Sequence, residues 1–78
     1  MNRVVLLEHL QLARKHVAQG FRHLTRQAEL IDRLRGQGVS TDDAELFLSQ
    51  LQASQTFHKA SVARIERELA MPRTPFID

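Results

Sequence analysis

RGQGVSTDD, residues 35–43, is the strongest interruption in a chain otherwise written in helix formers. Gly36 or Gly38 can take the left-handed conformation that closes one helix, and Ser40, Thr41 or Asp42 can cap the next. Asp42, Asp43 and Glu45 then fall in a first turn, where carboxylates favour the helix dipole. Ser40 with Asp43 three residues on resembles a weak capping box. The stretch therefore predicts a first helix over about 3–35, a turn over 36–40 and a second helix over about 41–70. Pro72 lacks the donor a helix needs, so residues 71–78 form a tail, which carries a second proline, Pro75. Phe76 and Ile77 of that tail are expected to fold back over Val4-Val5-Leu6-Leu7.

So short a link turns the second helix back along the first, making residues 1–70 an all-α, coiled-coil-like antiparallel hairpin. Residue i then lies opposite roughly residue 79 − i. Leu10, Val17, Leu24 and Ile31 repeat every seven residues in the first helix, and Ala44, Leu51, His58 and Ile65 do so in the second, joined by Phe47, Leu48, Val62 and Leu69. The companion row of the first helix, Leu6, Ala13, Gly20, Gln27 and Leu34, is large at its ends and small or polar in its middle. Gly20, Gln27, Ser54, His58 and Ser61 are thus expected to form a polar layer across the waist, with Gly20 leaving room for the His58 ring.

A chain of 78 residues without cysteine buries only about 60% of its unfolded surface and has no disulfide to compensate. Its apolar residues exceed what a two-helix seam covers. The pattern predicts self-association, most simply a homodimer forming a four-helix bundle, through Leu10, Val17, Phe21, Leu24, Ile31, Phe47, Leu48, Leu51, Phe57, Val62 and Ile65. Aromatic content of 5%, with no Trp or Tyr, argues against a β-sandwich or barrel. No apolar run approaches the roughly 18 residues of a membrane span, and Glu8 and His9 interrupt the N-terminal apolar run before it resembles a signal peptide. The expectation is a soluble, cytoplasmic protein.

Chemistry is sparse. His9, His16 and His23 stand one heptad apart, which is about 10.5 Å along a helix, too far to share one ion within that helix. They flank the seam. A metal site could arise only across helices, from His16, His23 and His58 with a symmetry mate, and no cofactor is expected. A His58 buried as neutral imidazole would instead make the hairpin pH-responsive, less stable as pH falls below about 6.5. Ser54 and His58 are an i,i+4 pair, but no oxyanion donors or glycine-rich elbow accompany them, so no enzyme is predicted.

Net charge is +2, a mild bias. Residues 3–35 carry seven Lys/Arg against three acids, and Lys15, Arg22, Arg26 and Arg33 lie on the outward side of the first helix. A Rop-like dimer binding RNA by that face is the second reading; a solvated face with local pairs such as Arg26–Glu29, Glu29–Arg33 and Arg64–Glu68 is the simpler one.

His16-Val17-Ala18, Gly20, His23, Gln27 and Leu30-Ile31, with Gly38, Thr41, Ala44, Leu48, Ser54-Gln55 and His58, resemble a group of small uncharacterised bacterial proteins that form helical hairpins. The likeness covers residues 9–69 and implies the hairpin without implying a site. Taken together, the sequence predicts a non-enzymatic interaction or scaffold module whose first partner is a second copy of itself.

Overall fold

The computed structural model describes residues 2–71, which form two helices, α1 (Arg3–Gly36) and α2 (Asp42–Ala70), packed antiparallel along their lengths. The expected contact of Phe76 and Ile77 with the N-terminal apolar run lies outside the described residues. Among the described residues no helix is long and apolar enough to cross a membrane.

α1 begins at Asn2, whose Oδ1 accepts a hydrogen bond from the Val5 N–H at 2.9 Å and so satisfies one of the four unpaired donors of a helix start. Gly36 is its last helical residue, and the glycine that closes it is Gly38, beyond the cap residue Gln37. Gly38 adopts φ +70°, the Gly38 N–H donates to the Arg35 carbonyl at 3.1 Å, and the Val39 N–H reaches back to Leu34 at 3.0 Å. This is the paired closure of a Schellman motif, which requires a residue tolerant of the left-handed region at that one position.

The start of α2 differs from the expected capping box. Thr41 stands at the N-cap, but its hydroxyl donates to the Glu45 carboxylate at 3.0 Å instead of accepting from the backbone. Ser40 Oγ lies at a long 3.5 Å from the Asp42 N–H, so the Ser40 and Asp43 box does not form. Glu45 is held from the other side by Arg35 Nη2 at 2.6 Å. Arg35 in the last turn of α1 thereby meets Glu45 in the first turn of α2, each charge suiting the dipole of its own helix.

The close contacts of the seam, Gly20 with Gln55 and His16 with His58, pair residues about one helical turn short of the expected partners, and only the long side chains of Arg14–Glu66 and Arg35–Glu45 reach one residue beyond them. At the open end Leu6, Leu10 and Ala13 of α1 pack on Ile65 of α2, with Val62 and Leu69 alongside, and Arg3 donates to the Leu69 carbonyl at 3.2 Å across the edge. Nearer the turn Ile31 is buried. Between these apolar regions the seam is polar.

Candidate functional site

The waist is built on two glutamines. Gln55 of α2 is only 4% exposed, and its Nε2 donates to the Val17 carbonyl of α1 at 2.8 Å. Gln27 of α1 returns the arrangement, donating Nε2 to the Ala44 carbonyl of α2 at 2.9 Å. Each helix thus sends one amide to the backbone of the other. Gly20 makes this possible: a Cβ at that position would lie 1.9 Å from Gln55 Oε1 and 2.8 Å from its Cδ. The Gln55 Oε1 is buried without a hydrogen-bond partner, a cost of about 1–3 kcal/mol. The reverse amide orientation would set that oxygen against the Val17 carbonyl, which is worse.

The expected polar layer is therefore corrected in its composition. The side chain seated on Gly20 is Gln55, not His58. Gln27 stands in the layer as expected, whereas Ser54 is exposed and Ser61 and His58 are half-buried. The pH response expected of a buried His58 loses its premise, since the buried polar group is an amide that does not titrate.

His58 instead lies at the surface of the seam against His16, ring centroids 5.3 Å apart and planes tilted by 49°, with Phe57 edge-on to it at 6.0 Å. The two imidazoles help line an open groove of about 220 Å³, together with Gln19, His23 and Ser54 above Gly20 and Gln55. A second groove of about 280 Å³, lined by Arg26, Gln27 and Phe47, shares His23 and Leu51 with the first. The heptad of histidines thus forms one flank of the hairpin. His16 lies against His58 there and His23 lines the same groove, while His9 is exposed nearer the open end. Among the described residues no three His, Cys, Asp or Glu side chains gather as a metal ion would require.

The residues expected to mediate self-association divide by position. Leu10, Ile31 and Ile65 are buried inside the hairpin itself, and Val17, Leu24, Leu48, Leu51 and Val62 are half-buried. Phe21, Phe47 and Phe57 remain 67%, 49% and 68% exposed. Lys15, Arg22, Arg26 and Arg33 are exposed as expected. The ion pairs among the described residues run between helices, Arg14–Glu66 and Arg35–Glu45, rather than along α1 or α2. The expected local pairs of Arg26, Arg33 and Arg64 are not among the ion pairs of the described residues.

Comparison with family models, with curated proteins and with solved structures returns no match for this chain.

Proposed function

We propose that the hairpin is one half of a larger bundle, a non-enzymatic module that associates with a second copy of itself and through that assembly serves as an interaction scaffold. One observation carries this reading: no side chain among the described residues is fully buried, while Phe21 and Phe57 stand about two-thirds in solvent. Each large apolar side chain moved from water into an interface contributes about 1.5–3 kcal/mol. A two-helix seam offers Phe21 and Phe57 no such shelter, and a second hairpin does.

Sedimentation equilibrium tests it. The expected mass is that of a dimer, and replacing Phe21 and Phe57 by Glu shifts the population to monomer with helix content retained. A wild-type chain that sediments as a monomer at every concentration refutes the reading.

A further inference from the structure

The small net charge of the whole chain conceals a segregation. The contacts across the waist, Gly20 with Gln55 and His16 with His58, lay residues 15–28 of α1 along about residues 47–60 of α2, and the same run of α2 continues without a carboxylate to residue 65. These two runs contain Lys15, Arg22, Arg26, Lys59 and Arg64 and no carboxylate. The remaining described residues carry five cations, Arg3, Arg14, Arg33, Arg35 and Arg67, against eight acids. The middle of the hairpin is therefore +5 and its two ends together −3, counting five less eight and leaving histidines neutral. All five central cations are exposed, and none is paired among the described residues. The band extends about 20 Å along the helices.

Arg33, which sequence spacing grouped with the outward basic face, falls outside the band beside Asp32, and Lys59 and Arg64 of α2 take its place. The grooves of the histidine flank open on the same band. They present ring faces and edges from His16, His58 and Phe47 next to the amide of Gln19 and the hydroxyl of Ser54. Cations alone suit any polyanion. Cations bordering rings and amide donors suit one whose charged backbone carries flat, hydrogen-bonding groups.

We infer that this flank binds single-stranded nucleic acid, the phosphates following Lys15, Arg22 and Arg26 along α1 and Arg64 on α2, with bases stacked in the two grooves. A duplex holds its bases away from such rings, and an acidic peptide has nothing to place against them. A divalent cation is disfavoured by the same field that attracts phosphate. The inference is independent of the oligomeric state, because the band belongs to each hairpin.

The test is fluorescence anisotropy with labelled single strands of about 20 nucleotides, RNA and DNA. Four phosphate contacts predict that affinity falls roughly 50-fold between about 50 and 200 mM salt. The paired variant Arg22→Glu with Arg26→Glu is expected to lose most binding, and Phe47→Ala about tenfold. Arg67→Glu, at the acidic end, is expected to change affinity about twofold at most. These positions are exposed, and circular dichroism confirms that each variant folds. Three results overturn the inference: no binding at the lower salt, equal losses for Arg67→Glu and the paired variant, or equal competition by polyglutamate or by duplex of matched length. Light scattering in the same buffers reports the oligomeric state separately, so a monomer that binds and a dimer that does not are both distinguishable.

Discussion

At the open end, Leu6, Leu10 and Ala13 press on Ile65, whereas about two helical turns nearer the bend the same seam holds Gln55 against Gly20. The first contact is apolar and non-directional. Sliding one helix by a heptad would replace one aliphatic pair with another at modest cost. The second contact ends on single backbone carbonyls, Val17 for Gln55 and Ala44 for Gln27, which are met at one height only. The open end supplies burial, and the waist supplies register. The unpartnered Gln55 Oε1 is the cost of that specificity, since an aliphatic side chain in its place would be fully satisfied but indifferent to position.

Breaking the open end has the largest expected effect. Leu10 is 6% exposed in a core of few residues, and Leu10→Ala is expected to cost about 2–3 kcal/mol, near the lower end of buried leucine truncations because so thin a core can partly collapse. Urea denaturation followed by far-ultraviolet circular dichroism measures it. A loss below about 1 kcal/mol would mean that stability resides elsewhere along the seam.

The waist is sharpened by a double-mutant cycle. In an exposed helix interior Gly→Ala stabilises by about 0.8–1 kcal/mol. At Gly20 the new methyl displaces the Gln55 amide and its bond to Val17, so Gly20→Ala alone is expected to be neutral or destabilising by up to about 1 kcal/mol. In a Gln55→Ala background the obstacle is gone and the same substitution becomes stabilising. The expected coupling is about 1–2 kcal/mol. Additivity of the two substitutions would remove Gln55 from the Gly20 notch.

Much of this division was legible from residue order. The glycine and the capping residues of the link, the heptads and the small or polar middle of the Leu6-to-Leu34 row lead to an antiparallel hairpin with a polar waist. The occupant of the waist was missed because His58 continues the row of Ala44, Leu51 and Ile65 and attracts attention as a titratable group. Leu48, Val62 and Leu69 belong to a second row spaced by sevens, and its vacant member is Gln55. A polar residue completing an apolar heptad was the available signal. The carboxylate-free band was hidden for a different reason: charge summed over a helix averages a basic middle with acidic ends, and only the register of the waist contacts reveals that the two middles coincide.

The ion pairs mark the limit of that register argument, and the smallest effect is expected there. Arg14 and Glu66 meet at 3.2 Å with side chains 59% and 50% exposed, so water and salt screen them. Glu66→Gln removes the charge while leaving the stem of Arg14 on the seam, and is expected to lower stability by no more than about 0.5 kcal/mol, vanishing at high salt. A loss as large as that of the glutamine cycle would assign register to the ion pair instead. The same variant extends the carboxylate-free run of α2 by two positions, through Arg67, so it is expected to strengthen oligonucleotide binding by no more than about twofold at low salt while barely moving stability. Opposite responses of stability and binding to one substitution would separate what holds the helices in register from what their shared surface attracts.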